Sequence, residues 1–211
     1  DSVASRGLGD VYKRQNVNSY MFRRRCGEIL YRQAPVEADL ICPVPDSGTP
    51  SAIGFAQESG IPFAEGLVKN RYMGRSFIKP SQKERDLAVR LKLSPQKSVV
   101  NGKRIVLVDD SIVRGTTSAK LIKRMRKSGA KEVHFRVTSP PFMYPCYYGV
   151  DTPDRKKLIA ANLDIEDIRK QIGADSLEFI DLDSMLKLVE NPDNYCKACF
   201  TGDYPVKKDE I

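Results

Sequence analysis

The chain has 211 residues, 41% of them apolar, and a formal net charge of +8. This length suits one large α/β domain or a domain with a substantial appendage, and no apolar run approaches the roughly 20 residues of a membrane span. No signal-peptide pattern is present, which favours the cytoplasm. The basic excess is compatible with a nucleic acid, with a polyanionic small substrate, or with an incomplete chain whose missing part is acidic, so charge alone does not decide between them.

The first fifteen residues differ in character from those that follow. Residues 1–15 are basic and contain glycine, without clear periodicity. We expect this leader to be either non-native to the fold or a disordered linker, and we assign no function to it. From Asn16 to Arg32, apolar residues recur among arginines, which predicts a helix.

A short apolar run and a tight turn come next. Ala38–Val44 is typical of a buried parallel strand and contains Cys42, which we interpret as a core thiol. The strand ends in Pro45-Asp46-Ser47-Gly48, where Pro and Gly allow a turn with outward N–H groups and Ser47 adds a hydroxyl ligand for metal or phosphate. A helix is predicted over Pro50–Ser59 and a short strand over Ile61–Ala64.

Residues 69–82 predict a long mobile loop, because they are polar and contain glycine. Lys69, Arg71 and Arg75 lie close together in it. Such a loop could be merely solvated, or it could close over a ligand with several negative charges and exclude water. Residues 84–93 are strongly charged and are compatible with a helix or an extended segment.

The most informative segment is Ile105–Ser118, IVLVDDSIVRGTTS. Its first four residues predict a strand buried on both faces, and such strands deliver ligand-binding residues at their carboxyl ends. Two adjacent carboxylates follow, Asp109 and Asp110. The loop Ser111–Thr117 can supply N–H groups and hydroxyls to a phosphate, with Gly115 relaxing the backbone before the next helix.

This combination favours a phosphoribosyl ligand over other phosphate ligands. Carboxylates repel a phosphate but suit ribose hydroxyls or a hydrated Mg²⁺. The loop lacks the Gly-Lys-Ser/Thr ending of a Walker motif and the three glycines of a dinucleotide fingerprint. An acidic turn that caps the next helix is the simpler alternative. The segment resembles the phosphoribosylpyrophosphate (PRPP) signature of type I phosphoribosyltransferases.

The second half of the chain continues with a βαβ pattern. A helix over Thr117–Lys127 ends at Ser128-Gly129, and Lys131–Thr138 alternates like a strand, so the sheet is predicted to be parallel. The single histidine, His134, is interpreted as a tolerated strand residue. Three further helices are predicted, over Asp154–Ala161, Ile165–Ile172 and Asp181–Val189.

Several segments together resemble the glutamine PRPP amidotransferases. They read PVPDSG, LVKNRYMGRSFIKPSQ, IVLVDDSIVRGTTS, SPPFMYPCYYGVDTP and YCKACFTGDYP, within Asn16 to Val206. The resemblance implies an α/β type I phosphoribosyltransferase fold, with a central, mainly parallel sheet flanked by helices and a C-terminal helical appendage. It divides the chain into the leader 1–15, a phosphoribosyltransferase core over 16–150, and C-terminal helices with a cysteine-bearing tail over 151–211.

The same resemblance implies an activity and a set of site residues. The family converts PRPP and glutamine to 5-phosphoribosylamine, glutamate and pyrophosphate in the first committed step of purine synthesis. The implied catalytic residues are Asp109, Asp110, Lys69 and Arg75, and the implied magnesium ligands are Ser47, Asp109 and Asp110. PRPP is expected to bind Ser47, Gly48, Asp109, Asp110, Ser111, Ile112, Val113, Arg114, Gly115, Thr116 and Thr117.

Two features set this sequence apart from the whole enzymes of that family. Its first residue is Asp1, whereas those enzymes begin with a glutaminase domain whose N-terminal cysteine attacks the amide, so we expect a C-terminal fragment that could use only ammonia. Cys146, Cys196 and Cys199 resemble ligands of a [4Fe–4S] cluster, with the fourth ligand missing from this chain. Zinc, or three independent thiols, are the alternatives.

Other functions remain open at this point. A PRPP-sensing regulator that binds nucleic acid would use the basic charge, although no recognition domain is visible, so we expect no nucleic-acid partner. A nucleobase salvage phosphoribosyltransferase would need a base pocket that the sequence does not reveal. The resemblance further implies purine nucleotides as feedback inhibitors, a homo-oligomer at full length and no membrane partner.

Overall fold

The computed structural model of the chain describes residues 17–70, 93–148 and 154–205, and the backbone of residues 13 and 14. Its centre is a four-stranded parallel sheet. In spatial order its strands are β3 (Leu40–Pro43), β6 (Arg104–Asp109), β7 (Glu132–Val137) and β8 (Ser176–Phe179). Two short antiparallel pairs lie outside it: β1 (Lys13–Arg14) with β2 (Val17–Asn18), and β4 (Leu67–Lys69) with β5 (Leu93–Pro95).

Helices cover both faces of the sheet. They are α1 (Ser19–Gln33), α2 (Thr49–Ser59), α3 (Lys97–Val100), α4 (Thr116–Lys127), α5 (Ile165–Ile172), α6 (Leu182–Leu186) and α7 (Ala198–Thr201). Among the described residues there are also three 3₁₀ turns, Arg155–Lys157, Ile159–Ala161 and Pro192–Asn194. In the part of the chain that is described, no helix combines the length and the apolar composition needed to cross a membrane.

The uninterrupted apolar run of β6 is explained by burial on both of its faces. Val106 and Val108 face the cluster formed with α1 and α2, whereas Ile105 and Leu107 face the larger cluster formed with α4 and α5. All four side chains are fully buried. Successive side chains of a strand point to opposite faces, so a strand between two helical layers must be apolar at every position.

Two glycines let α1 and α2 pack with their backbones in contact. A Cβ on Gly27 would lie 1.9 Å from the carbonyl oxygen of Ser51, and a Cβ on Gly54 would lie 1.9 Å from that of Arg24. No side chain larger than hydrogen fits at either position without moving the helices apart. This contact fixes the residues that both helices present at the end of the sheet.

The parallel register brings the carboxyl ends of the strands to one edge. Pro43 of β3 lies opposite Val108 of β6, and Asp109 lies opposite Val137 of β7. The segments that follow β3, β6 and β7 therefore meet there, as predicted from the βαβ pattern.

The structure corrects three of the predicted elements. The short strand expected over Ile61–Ala64 is a single bridge between Phe63 and Ile41, because the segment meets the edge of β3 at only one position. The helix expected over Asp154–Ala161 consists of two 3₁₀ turns, and the helix expected over Asp181–Val189 spans only Leu182–Leu186. Capping by Asp154 and Asp181 sets the starts of these elements.

The sequence patterns also do not predict β8, which adds a fourth strand to the sheet. Its four residues alternate between half-buried and buried, with Leu177 and Phe179 in the core. His134 lies in β7, as expected, and its ring nitrogens contact Ser176 Oγ at 3.0 Å and Glu132 Oε2 at 3.2 Å. Burial, followed by the nearby Arg136 guanidinium, lowers the pKa of His134.

Candidate active site

A pocket of about 1010 Å³ lies at the carboxyl edge of the sheet. Ten of the eleven residues implied as PRPP ligands line it. They are Ser47, Asp109, Asp110, Ser111, Ile112, Val113, Arg114, Gly115, Thr116 and Thr117. Gly48 is not among the lining residues, whereas Lys69, implied as a catalytic residue, is. The fold therefore brings together the turn after β3, the end of β4 and the loop after β6.

The loop after β6 has the geometry of a phosphate cradle. Gly115 precedes α4 with a φ of 72°, a left-handed conformation that glycine adopts without strain. A Cβ at this position would lie 2.6 Å from Ile159 Cδ1, the end of a side chain that would have to shift. The first turn of α4, including Thr116 and Thr117, carries N–H groups that have no acceptor within the helix. These N–H groups and hydroxyls can bind an anion at the helix N-terminus.

The loop is held from below by the segment that follows β7. The side chain of Ile112, which belongs to the loop, is almost fully buried. The N–H of Ile159 donates to the carbonyl of Val113 at 2.9 Å. These contacts hold Ile112 and Val113 in place without a ligand, which reduces the conformational entropy lost on binding.

Asp109 and Asp110, which we call the acid pair, directly precede the loop that forms the cradle. The N–H of Asp110 donates to Asp109 Oδ1 at 2.9 Å, and the Ser111 hydroxyl lies 3.3 Å from Asp110 Oδ1. Burial, followed by repulsion from Asp110, raises the pKa of Asp109 well above the usual carboxyl value. Both effects would be relieved by a divalent cation or by hydroxyl donors at this position.

The turn after β3 forms the second wall of the pocket. The peptide bond between Pro45 and Asp46 is cis. A Cβ on Gly48 would lie 2.4 Å from the carbonyl oxygen of Val108, so only glycine allows the turn to approach β6 this closely. Lys69 Nζ forms an ion pair with Asp46 Oδ2, which ties β4 to this turn.

Three cations that the motifs do not predict also line the pocket. They are Arg23 of α1 and Lys120 and Arg124 of α4. The two α4 residues follow Thr116 at four-residue steps, so the helical period could have indicated them. Arg23 has no such local signal, because it reaches the pocket only through the packing of α1 on α2.

An adjoining cavity of about 520 Å³ shares Arg23 and Asp110 with this pocket. Its other walls are largely apolar, with Phe22 of α1, Met185 of α6 and Phe200 of α7 among them. Apolar side chains therefore lie next to the acid pair on this side.

The three cysteines implied as cluster ligands lie near one another. The N–H groups of Met143 and Tyr144 donate to the carbonyl of Cys199 at 3.0 and 3.1 Å, which places the segment containing Cys146 against α7. Burial, followed by the neighbouring thiols of Cys146 and Cys196, raises the pKa of Cys199 to about 11. Within residues 17–70, 93–148 and 154–205, no group of three or more His, Cys, Asp or Glu has the geometry of a metal site.

The remaining two cysteines are core residues, as predicted for Cys42. Burial raises the pKa of Cys26 to about 12 and that of Cys42 to about 11. Thiols in this state are poor nucleophiles at neutral pH. Arg75 and most of the predicted loop over residues 69–82 lie outside the described residues.

Comparison with protein families identifies the domain. The model of the phosphoribosyl transferase domain matches residues 17–141, more than half of the chain. The chain belongs to this family. The matched range includes the turn after β3, the acid pair and the phosphate cradle, so the type I phosphoribosyltransferase fold implied by the motifs is confirmed.

Within the family, the chain is similar to amidophosphoribosyltransferases. It is 55% identical to that of Methanocaldococcus jannaschii over 90% of this chain and 40% of the relative, and 53% identical to that of Synechococcus elongatus over 89% and 38%. The solved glutamine PRPP amidotransferase of B. subtilis, complexed with ADP and GMP, matches with a TM-score of 0.83 and 47% identity, over 91% of this chain and 43% of that one. The resemblance drawn from the motifs is confirmed, and the chain spans about 40% of the length of these curated relatives.

Proposed function

We propose that this phosphoribosyltransferase domain transfers an amino group to PRPP, displacing pyrophosphate to form 5-phosphoribosylamine. The observation that carries this proposal is the meeting of a phosphate cradle, an acid pair and a second turn at one edge of the sheet. Those three parts match the 5′-phosphate, the ribose and the pyrophosphate of PRPP. The identity of over 50% to amidophosphoribosyltransferases favours amino transfer over nucleobase salvage.

Each part of the pocket has a role in this proposal. The backbone N–H groups and hydroxyls of Ser111–Thr117 hold the 5′-phosphate, and Asp109 and Asp110 accept hydrogen bonds from the ribose hydroxyls. Ser47 and Gly48 hold the pyrophosphate, with Lys69 beside them. The rate then comes from positioning and charge stabilisation, because pyrophosphate leaves as an anion while ammonia attacks C1 from the opposite face.

We propose Ser47, Asp109 and Asp110 as the residues that would hold a magnesium ion together with PRPP. The fit rests on the donor set, since hydroxyl and carboxylate oxygens suit Mg²⁺ and the adjacent carboxylates repel each other without a cation. The ion would neutralise charge on the leaving pyrophosphate. The acid pair would orient the ion.

We also propose that Cys146, Cys196 and Cys199 supply three thiolates to an iron–sulfur cluster in the whole protein. The neighbouring positions of the three thiols support a shared metal group. Anaerobic reconstitution of the 211-residue chain should give bound iron and visible absorbance, both lost in Cys199→Ala but retained in Cys26→Ala. Equal iron content in the two variants would contradict this ligand set.

Purine nucleotides are proposed as inhibitors that compete for the same pocket. A nucleoside monophosphate carries the phosphate and ribose that the cradle and the acid pair are suited to bind. The B. subtilis relative was solved with ADP and GMP, which supports the idea. Displacement of bound PRPP by GMP in a calorimetric titration would support this proposal, and independent binding of both would contradict it.

The activity is tested by comparing two nitrogen sources. The purified chain, supplied with PRPP and Mg²⁺, should release pyrophosphate with ammonium but produce no glutamate from glutamine. Glutamine hydrolysis requires an activated nucleophile, and Cys26 and Cys42 are buried thiols with raised pKa values. We propose that this step belongs to a part of the relatives that the chain does not cover.

Three results would contradict the proposal. Glutamate formation above a no-enzyme control would mean that the chain itself hydrolyses glutamine. Release of pyrophosphate with adenine or guanine, but not with ammonium, would favour a salvage enzyme. Salt-dependent binding of DNA or RNA without pyrophosphate release would favour the regulator.

A further inference from the structure

We infer that the hydroxyls of Thr138 and Ser51 are positioning groups for the acid pair, acting through the backbone carbonyl of Asp109. This inference rests on the proposed function, since it assigns the pair to the binding of PRPP. Thr138 follows β7, and Ser51 lies in the first turns of α2. Neither residue belongs to the turns and loops that the motifs identify.

Thr138 holds the Asp109 carbonyl by two contacts. Its N–H donates to that oxygen at 3.0 Å, continuing the ladder between β6 and β7, and its Oγ1 lies 3.2 Å from the same oxygen. The Asp109 carbonyl and the Asp110 N–H belong to one planar peptide unit. The N–H side of that unit donates to Asp109 Oδ1 at 2.9 Å. The peptide that joins the two carboxylates is therefore fixed at both ends.

Ser51 extends this contact to the helical layer. Its side chain is fully buried, its Oγ lies 3.2 Å from Thr138 Oγ1, and it can donate to the carbonyl of Arg23 at 3.0 Å. The hydroxyls of Ser51 and Thr138 have two protons between them, but they make three contacts: with the Arg23 carbonyl, with each other and with the Asp109 carbonyl. Because the Arg23 carbonyl is also an acceptor within α1, Ser51 can donate to Thr138 while Thr138 donates to Asp109, and every group then has a partner.

This arrangement links the acid pair to the rigid contact between α1 and α2. Ser51 is held there because its own carbonyl lies against Gly27, where a Cβ would approach to 1.9 Å. A peptide fixed in this way keeps the Asp109 carboxylate oriented and fixes the backbone that carries Asp110, so less orientational entropy is lost when PRPP binds. Removing the hydroxyl should therefore weaken ligand binding.

Replacement of Thr138 by valine tests the inference, because valine keeps the shape and the N–H contact. Calorimetric titration of the full chain with PRPP and Mg²⁺ should give an affinity about tenfold weaker for Thr138→Val, the effect of losing one buried hydrogen bond. Thr138→Ser, which restores the hydroxyl, should bind like the unmodified protein. The neighbouring Ser139→Ala is the matched control, since Ser139 Oγ is buried without a hydrogen-bond partner among the described residues.

The outcomes separate this inference from the proposed function. If the unmodified chain does not bind PRPP, both are overturned. If it binds and Thr138→Val binds equally well, only the positioning role is overturned. Should Thr138→Val fail to fold, Ser51→Ala decides: a weakening of about threefold supports the inference, and unchanged affinity overturns it.

Discussion

Replacing either carboxylate of the acid pair by its amide should reduce ammonium-dependent pyrophosphate release by about 100-fold or more. Asp109→Asn and Asp110→Asn keep the size of the side chain but remove one negative charge from the position where ribose and Mg²⁺ are proposed to bind. The fold should persist, because repulsion and burial oppose ionisation of Asp109 in the free protein. Steady-state rates at saturating PRPP measure the effect.

A carboxylate at the opposite edge of the sheet provides the matched control. Glu37 precedes β3, its side chain is 94% exposed, and it contacts only Arg104 at 3.4 Å among the described residues. Glu37→Gln makes the same chemical change and should leave the rate within about twofold, as expected for an exposed ion pair. Unchanged rates in both acid-pair variants would refute their assigned role.

The second large effect is expected on stability. Gly54→Ala would place a Cβ 1.9 Å from the Arg24 carbonyl oxygen, where backbone rather than a flexible side chain must move. Separating α1 from α2 should lower the free energy of unfolding by about 3 kcal/mol. Urea-induced unfolding followed by circular dichroism measures this loss. Gly27→Ala should cause a similar loss, because its Cβ would meet the Ser51 carbonyl oxygen of α2 at the same distance, 1.9 Å.

Gly60 offers a comparison on the same helix. It ends α2 with a φ of 71°, and a Cβ there would meet nothing within 4 Å. Gly60→Ala should therefore cost only the left-handed conformation, about 1 kcal/mol. Equal losses for Gly54→Ala and Gly60→Ala would mean that the two helices adjust freely and that the close contact does not constrain the site.

The parts of the site that follow strands could be predicted from sequence. Asp109 and Ser111–Thr117 come directly after an apolar run, so strand burial and the common direction of parallel strands place them at one edge. Lys69 also lines the pocket, but it ends β4 instead of lying in the loop over residues 69–82 that the sequence pattern predicts. The position of Asp109 and Ser111–Thr117 can be predicted because it depends only on the residues next to them in the sequence.

Contacts between distant segments could not be predicted in the same way. Arg23 and Ser51 reach the site through the packing of α1 on α2, which depends on two glycines with no distinctive neighbours. Strand β8 was missed because four alternating residues are too short a signal beside the helical patterns around it. Such features depend on tertiary packing, which the sequence of one segment does not contain.

Binding of PRPP itself tests the central claim most directly. Calorimetric titration of the purified chain with PRPP should show saturable binding that strengthens when Mg²⁺ is added, since the acid pair requires a cation to tolerate a polyanionic ligand. Ribose 5-phosphate, which lacks the pyrophosphate, should bind more weakly. Absence of saturable PRPP binding by the folded chain, with and without Mg²⁺, would contradict the assignment of this pocket.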